Sequence, residues 1–380
     1  MNKAFFINGG AGRVLCSMPG LERYAKTHDD FVIVSESWTE LYMTNKTLRD
    51  HVYMGWQKDL FRDRLLDKNI ISPEPYRLNA YFTQKANLIQ AFDMLINDLE
   101  EVPETGKINI DLSKEEQIIG HNLVGEVKQY TGKDKVIVFQ PFGQSVKNEG
   151  QFIYDTSGRS FEMTNTVEIL TELSKNYGII VMTQLDIPSW QEMGIGMPKD
   201  MNLNQWIGVI NAADYFLGCD SVGQHMAHAM KKPATVVIGA TFPENISYPD
   251  NKNFTIIDNG EGKRRYSPIR LTQDECADRN NEDIMVLEKD DVKKIVKGIK
   301  NKLGTGKSSG SKSKSSIPAL KPAETASTPF TMGLDSKPKP FGNTSDTFGF
   351  GDMKPKKKSK PIDDLIELEK RTTGPQGQTK

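Results

Sequence analysis

The sequence predicts an α/β protein with parallel sheets, followed by a disordered C-terminal tail. Short apolar runs alternate with helical patterns through the first 303 residues, which is typical of βαβ units. The apolar runs form two groups, one near the N-terminus and one that begins at Val136, so we expect two domains. After Leu303 the composition changes abruptly to Ser, Lys, Pro, Gly and Thr.

The elements follow in order along the chain. The predicted strands lie at 4–7, 31–34, 136–139, 179–183, 215–218, 235–238 and 255–257. The predicted helices lie at 14–27, 84–99, 114–130, 163–176, 203–212, 224–230 and 289–302. The polar connection YTGKDK joins a helical pattern to a new strand, and we place the boundary there. The expected domains are therefore 1–130 and 131–303, with the tail at 304–380.

The tail begins GTGKSSGSKSKSS, a composition that cannot bury enough apolar surface to offset chain entropy. Near its end, IDDLIELEKR spaces Ile362, Leu365 and Ile366 like one face of a short amphipathic helix. This segment is either a docking motif for a protein partner or a solvated linker with a transient helix.

Charge and cysteine usage exclude several classes of protein. Lys and Arg number 49 and Asp and Glu number 50, of which 14 and 8 lie from Gly304 onward, so the first 303 residues carry a net charge of −7. That sign does not suit a duplex-DNA binder. The three cysteines, Cys16, Cys219 and Cys276, show no Cys-x-x-Cys spacing, and the N-terminal apolar stretch is too short for a signal peptide. We expect a cytoplasmic protein without a transmembrane segment, whose membrane contact, if any, is peripheral.

One stretch carries most of the chemistry. The residues GCDSVGQHMAHAMKKPATVVIGAT (218–241) run from an apolar strand through a small polar turn into a helix and back to a strand. At the carboxyl edge of a parallel sheet, such a turn offers backbone N–H groups and the positive end of a helix dipole, which suits phosphate. Ser221, Val222 and Gly223 would supply the amides. The spacing alone is weak evidence for a phosphate site, because many α/β crossovers share it.

The specific residues of this stretch resemble glycosyltransferase family 9, the lipopolysaccharide heptosyltransferases. The family's pattern is a helix ending in Ala-Asp, a strand, Asp-Ser/Thr-Gly-x-x-His-x-Ala-x-Ala, a Lys-Pro, a strand and Gly-x-Thr. The matching positions here are Ala213, Asp214, Asp220, Ser221, His225, Ala227, Ala229, Lys232, Pro233, Gly239 and Thr241. The segments GGAGRVLCSMPGLERYAKTHDDFVIV, VIVFQPFGQS and GRSFEMTNTVEILTELSKNYGIIVM extend the resemblance over most of the first 303 residues, except about 38–109.

The resemblance implies the GT-B architecture, in which two Rossmann-like domains face each other across a cleft. It implies an inverting enzyme that moves a sugar from a nucleotide-diphosphate sugar to a hydroxyl of a glycan or similar acceptor. It places Asp220 and Ser221 at the donor's sugar and diphosphate, with His225 on the helix that holds phosphate charge. Gln224 adds an amide suited to a base or sugar edge. Because no Asp-x-Asp motif is present, we predict a metal-independent site without a cofactor.

The loop NGGAGR is not a dinucleotide fingerprint, because Leu15 stands where a third small residue is needed. In a GT-B enzyme, Gly10 and Gly12 would let the loop backbone approach acceptor and donor closely. The alternative is a tight turn between strand and helix with no further role.

Two residues depart from the family's pattern. Arg13 stands where the heptosyltransferases have the Asp proposed as general base, and arginine stays protonated. Either another carboxylate serves, with Glu36 as the candidate, or Arg13 binds donor phosphate or an anionic acceptor, or the chain no longer catalyses. The last case would make it a silent GT-B binding protein whose tail recruits a partner. Val222 stands where the family has Gly, so we expect Gly223 to take the conformationally permissive role.

Cations near the leaving diphosphate complete the prediction. Arg159 matches the family's phosphate-binding Lys best, with Lys147 as its competitor, and either could be a surface cation. His225 and His228 lie three apart on one helix face, a spacing compatible with a metal pair, but no Cys or carboxylate partner is evident. We expect His228 to be structural and Cys276 to be a small, partly buried residue.

Overall fold

The computed structural model describes residues 2–149, 152–155, 157–185, 187–264, 283–304 and 306. The predicted tail, apart from Gly304 and Gly306, and Cys276 lie outside the described residues. No helix in the described ranges is long and apolar enough to cross a bilayer.

The first sheet is parallel, with strand order β3-β2-β1-β4. Its strands are β1 (Lys3–Ile7), β2 (Val32–Ser35), β3 (Val52–Met54) and β4 (Asn69–Ile71). The helices of this half are α1 (Ala11–Ala25), α2 (Thr39–Met43), α3 (Asn79–Phe82) and α4 (Leu88–Asn97), with 3-10 turns at Arg49–His51 and Pro75–Arg77 and a π-helical turn at Phe61–Leu65. Helices α1 and α4 pack together against one face of the sheet.

The second sheet is also parallel, with strand order β11-β10-β9-β5-β8. Its strands are β5 (Val136–Gln140), β8 (Gly178–Val181), β9 (Tyr215–Cys219), β10 (Ala234–Ile238) and β11 (Phe254–Asp258), and an antiparallel hairpin of β6 (Val146–Glu149) and β7 (Phe152–Asp155) follows β5. The helices are α5 (Lys114–Thr131), α6 (Met163–Ser174), α7 (Pro188–Glu192), α8 (Leu203–Ala212), α9 (Val222–Ala229), α10 (Pro243–Ile246) and α11 (Lys289–Leu303).

All seven predicted strands and all seven predicted helices are present, with shifted ends. Strands β3 and β4, the β6–β7 hairpin and helices α2, α3, α7 and α10 were not predicted. Strands β5, β9 and β10 are buried throughout, as expected of parallel strands covered on both faces. The α/β class with parallel sheets is therefore confirmed.

Helix α5 packs against α8 and β8 of the second sheet. The contact with α8 depends on two glycines: a Cβ added to Gly208 would lie 2.2 Å from the Glu116 carbonyl oxygen, and one added to Gly120 would lie 2.2 Å from the Gly208 carbonyl oxygen. The two backbones therefore touch directly. The predicted limit between residues 130 and 131 falls at the last residue of α5, a helix that packs on the second sheet. The domain limits stay a prediction.

The two sheets share one buried core. Helix α1 of the first half packs against α9 of the second, and apolar side chains from both sheets belong to the same cluster. Two asparagine amides, one half-buried and one buried, add hydrogen bonds across this contact. Asn204 Nδ2 donates to the Glu40 carbonyl over 3.0 Å, and Asn245 Nδ2 donates to the Tyr81 carbonyl over 2.7 Å.

Candidate functional site

The turn after β9 forms the centre of the site, and we call residues 220–223 the β9 corner. Strand β9 ends at Cys219 and helix α9 begins at Val222, two residues earlier than predicted. Asp220 and Ser221 therefore make the turn, and Val222 and Gly223, which were expected in it, lie in the first turn of the helix. Ser221 has extended backbone angles (φ −153°, ψ 179°) in the N-cap position. The corner thus lies at the carboxyl edge of a parallel sheet, before a helix N-terminus.

The glycine loop between β1 and α1 reaches the elements around this corner. A Cβ added to Gly12 would lie 3.1 Å from Cδ2 of His225, on α9. A Cβ added to Gly10 would lie 3.7 Å from Oε1 of Gln144, in the loop after β5. Loops from both sheets therefore converge here, and any larger residue at Gly12 would press on the α9 helix.

Asp220 is 2% exposed, and both of its carboxylate oxygens are occupied. Gln224 Nε2 donates to Oδ1 over 3.0 Å, and Thr241 Oγ1 donates to Oδ2 over 2.8 Å. The Oε1 of Gln224 is buried and accepts no hydrogen bond from the residues that the structure describes. Asp220 is thus a buried carboxylate whose orientation is fixed by Gln224 and Thr241.

Gln140, the last residue of β5, caps the β9 corner and was not predicted. Its Oε1 accepts the Gly223 N–H over 2.9 Å, and its Nε2 donates to Ser221 Oγ over 3.1 Å. Two amides of the first turn of α9 are therefore already used, since the Gln224 N–H donates to the Ser221 carbonyl oxygen over 3.3 Å. Since Ser221 Oγ accepts a hydrogen bond from the Gln140 amide, the Ser221 O–H can donate to another group.

The expected role of Gly223 was wrong. Gly223 lies inside α9 without a positive φ, so it does not replace a permissive glycine at Val222. A Cβ at Gly223 would lie 2.4 Å from Gln140 Oε1 and 2.6 Å from Phe216 Cζ. Glycine is needed at this position for space, because the Gln140 side chain approaches the helix closely.

Arg159 lies beside this corner and is half-buried. Its Nε donates to Ser157 Oγ over 3.0 Å, and its Nη2 lies 3.4 Å from Ser145 Oγ. Burial opposes the charge of the guanidinium, but the carboxylates of Asp220 and Asp155 outweigh it and raise the Arg159 pKa. Arg159 is therefore a charged side chain whose hydrogen-bond partners, within the described residues, are neutral hydroxyls.

The loop after β5 brings these groups together. A Cβ added to Gly143 would lie 3.8 Å from Oδ2 of Asp155 and 4.0 Å from Oγ of Ser221. Asp155 in turn accepts hydrogen bonds from Ser157 and Ser160, which order the segment that carries Arg159. Lys147, the alternative cation, is exposed on β6.

His225 is 3% exposed, and its Nδ1 lies 2.7 Å from the Tyr248 hydroxyl and 3.6 Å from Cys16 Sγ. Burial lowers the His225 pKa to about 4 and raises the pKa of the Cys16 thiol, so both groups are neutral at pH 7. His228 stacks on Tyr248 with ring centroids 3.6 Å apart, and its Nδ1 lies 3.0 Å from Asn251 Nδ2. His225 thus packs α9 against α1, and His228 lies in an aromatic stack, as expected of a structural residue.

Arg13 points into a closely packed site of its own. Its Nε and Nη2 donate to the backbone and side-chain oxygens of Asn8, each over 3.0 Å, and its Nη1 lies 3.1 Å from Oε1 of Glu74. The guanidinium carbon lies 5.0 Å from the centre of the Tyr76 ring and 5.4 Å from that of Phe92. Burial opposes its charge, yet Tyr76 and Glu74 raise the Arg13 pKa overall.

Gly9 makes room for this arginine. It has a φ of +88°, and a Cβ there would lie 2.7 Å from Arg13 Cδ. Glu36, the other predicted catalytic residue, follows β2 and is exposed, and its backbone N–H lies 3.4 Å from the Ile7 carbonyl oxygen. Glu74 was not predicted, because nothing in its spacing links it to Arg13.

The structure therefore gathers most of the predicted donor-side residues into one region. It also reveals two polar residues that were not predicted, Gln140 and Glu74. Those gathered around the β9 corner are Gly10, Gly12, Arg159, Asp220, Ser221, Val222, Gly223, Gln224 and His225. Their roles in binding stay predictions. Within the described ranges, no three His, Cys, Asp or Glu side chains are grouped to hold a metal ion.

Comparisons with known proteins show which family and which solved structures the chain is similar to. The sequence model described as glycosyltransferase family 9 (heptosyltransferase) matches residues 187–269, which include the β9 corner. No curated protein matches the chain by sequence.

Two solved structures show the same fold. The glycosyltransferase family 9 protein from Veillonella parvula is 10% identical, with a TM-score of 0.56 over 79% of this chain and 97% of that one. The iron-containing dodecameric glycosyltransferase TibC from enterotoxigenic E. coli is 12% identical, with a TM-score of 0.51 over 80% of this chain and 76% of that one. TibC has also been solved in complex with ADP-D-β-D-heptose. With two parallel sheets whose loops meet at the β9 corner, the chain has the GT-B fold and resembles glycosyltransferase family 9, the heptosyltransferases.

Proposed function

We propose that the chain is a glycosyltransferase that moves a sugar from a nucleotide-diphosphate sugar to a hydroxyl of a glycan or similar acceptor. The observation that supports this most is the position of Arg159, in a segment whose Asp155 and Ser160 side chains meet Ser221 of the β9 corner around Gly143. Its charge is maintained by buried Asp220 and by Asp155, while its direct hydrogen bonds go to serine hydroxyls. A phosphate could replace those weak neutral partners with charge-assisted hydrogen bonds.

The chemistry needs positive potential where the leaving diphosphate gains charge. Breaking the anomeric C–O bond passes through an oxocarbenium-like state, and the electrons of the bond go to a phosphate oxygen. Arg159, the Ser221 hydroxyl and the N-terminus of α9 are hydrogen-bond donors that lie close together at the carboxyl edge of the second sheet. Preorganised donors of this kind lower the barrier because they need no rearrangement during the reaction.

We further propose that the transfer inverts the anomeric centre and does not require a metal ion. Cations and a helix N-terminus can supply the positive charge that Mg²⁺ or Mn²⁺ supplies in other glycosyltransferases. EDTA should then change the donor Kd by no more than about twofold, because removal of metal ions removes no contact to the donor. Each tenfold change in Kd corresponds to about 1.4 kcal/mol. Loss of binding on chelation that Mg²⁺ or Mn²⁺ restores would overturn metal independence.

Binding of a panel of ADP-, UDP- and GDP-linked sugars, with ADP-heptose first, tests the donor class. Arg159→Ala should weaken the best binder by about 1.5–3 kcal/mol, or roughly 10- to 150-fold, as for hydrogen bonds to charged groups. Arg49→Ala provides a matched control, because Arg49 is exposed and its nearest carboxylate, that of Asp50, lies 3.9 Å away. Unchanged affinity in Arg159→Ala would move the role to Lys147 or elsewhere. A panel without any binder would overturn the proposed function.

A catalytically silent GT-B protein is the second candidate, favoured by Arg13 at the position of the expected Asp. Its tail would recruit a protein partner, and its core would bind a nucleotide sugar, a glycan or a protein. Tight donor binding without release of nucleotide diphosphate, with every acceptor tried, would support this candidate.

A further inference from the structure

The acceptor hydroxyl must lose its proton during transfer, and a positioned carboxylate is the usual group that takes it. Arg13 cannot serve, since it remains protonated. We propose that Glu74 is the general base of the reaction and that Arg13 is the positioning residue that holds it. This inference rests on the proposed glycosyltransferase function.

The two side chains form a fork-to-fork pair. Arg13 Nη1 lies 3.1 Å from Glu74 Oε1, and Nη2 lies 3.4 Å from Oε2. The Arg13 side chain is 10% exposed and that of Glu74 is 36% exposed. The guanidinium therefore lies behind the carboxylate, and the carboxylate is the member of the pair that a substrate can reach.

The backbone fixes Glu74 as well. It lies between Pro73 and Pro75, which restrict the backbone on both sides. Its Oε1 also accepts the Tyr76 N–H over 3.4 Å at the start of the 3-10 turn. A carboxylate offers about four acceptor positions, and three are used, so about one remains for a hydroxyl.

The glycine loop places this pair next to the donor side of the site. Arg13 follows Gly12 in α1, and a Cβ added to Gly12 would lie 3.1 Å from Cδ2 of His225 on α9, the helix that begins at the β9 corner. Glu74, held by Arg13, and the β9 corner therefore lie on neighbouring elements.

Other carboxylates in the region suit the role less well. Asp220 is buried with both oxygens occupied, and Asp155 accepts from Ser157 and Ser160. Glu36 is exposed, and among the described residues no side-chain or backbone donor fixes its carboxylate. Glu74 combines exposure with a fixed orientation.

In the proposed step, the acceptor oxygen forms a bond to the anomeric carbon as its proton passes to Glu74. The bond from that carbon to the diphosphate oxygen breaks, and its electron pair stays on the diphosphate. Glu74 then releases the proton to water. No oxidant, reductant or further reactant is needed.

The test uses the full chain and the nucleotide sugar that binds best in the panel, with water or an added sugar as acceptor. Glu74→Gln retains an oxygen that can accept from Arg13 but cannot take a proton. Its kcat for nucleotide diphosphate release should fall by about 10²- to 10⁴-fold. Its donor Kd should stay within about threefold, because Arg159 and the β9 corner are unchanged. Glu74→Asp should retain more activity than Glu74→Gln.

Two further variants make the result specific. Glu101→Gln, at an exposed site, is the matched control and should leave kcat unchanged. Arg13→Met removes the positioning contact and should lower kcat while preserving donor Kd. Thermal unfolding identifies variants that fail to fold. If Glu74→Gln fails to fold, the kcat of Glu74→Asp tests the role of Glu74.

Each outcome settles the matter. Turnover that Glu74→Gln leaves intact, or that Glu36→Gln abolishes instead, overturns the role of Glu74 and leaves the proposed function standing. Donor binding by the wild type without turnover also overturns it, in favour of the silent protein. Failure of the wild type to bind any nucleotide sugar overturns the proposed function and the base with it.

Discussion

Replacing Gln140 with Met tests the cap at the β9 corner. The substitution keeps a long unbranched side chain but removes both hydrogen bonds of the amide group. The Gly223 N–H would then be buried without an acceptor, which costs about 1–3 kcal/mol. Loss of the bond to Ser221 Oγ adds about 1 kcal/mol. We therefore expect Gln140→Met to lower the free energy of unfolding by about 2–4 kcal/mol.

Urea titration followed by circular dichroism measures this change, provided that the m-value stays constant. The control is Gln117→Met on exposed α5, where the amide donates only to the Leu112 carbonyl, and it should change stability by less than about 0.5 kcal/mol. A Gln140→Met variant as stable as the control would show that Gln140 does not cap α9 in solution.

Two further predictions concern packing and pH. Gly208→Ala should lower the free energy of unfolding by about 1–3 kcal/mol or more, because its Cβ would lie 2.2 Å from the Glu116 carbonyl oxygen. Gly125→Ala, on the partner helix α5 with open space around it, should instead raise stability by about 0.5–1 kcal/mol, and denaturation curves that rank the two variants equally would contradict the α5–α8 contact. Burial lowers the His225 pKa from 6.5 to about 4, so between these values the unfolded chain binds a proton that the folded chain does not. The contribution of His225 to stability should therefore fall by about 3 kcal/mol as pH drops through this window. A His225→Gln variant with the same pH dependence as the wild type would assign the loss to another group, such as His228, whose pKa burial also lowers to about 4.

The sequence predicted the buried parallel strands because they are continuous apolar runs, as in Tyr215–Cys219. It missed Val52–Met54 and Asn69–Ile71 because three partly exposed residues show no periodicity. The β6–β7 hairpin was missed for a similar reason, since Val146–Glu149 is mostly polar.

The site was predictable where its residues are adjacent and unpredictable where they meet through the fold. The Asp220–His225 run is local, so its pattern survives in one stretch of sequence. Gln140 could have been found, because a polar residue at the end of the apolar strand VIVFQ needs a partner. Glu74 could not, since its contact with Arg13 spans 61 positions and depends on loops with no periodic pattern.

The core shared by α1 and α9 has a mechanical consequence. Swinging one sheet away from the other about a hinge would expose Cys16, His225 and Tyr248 to water and break the amide contact of Asn245 with the Tyr81 carbonyl. Such an opening would require hydration of a large apolar surface as well as loss of these bonds. We therefore expect a bulky ligand to gain access by rearrangement of surface loops rather than by separation of the two sheets.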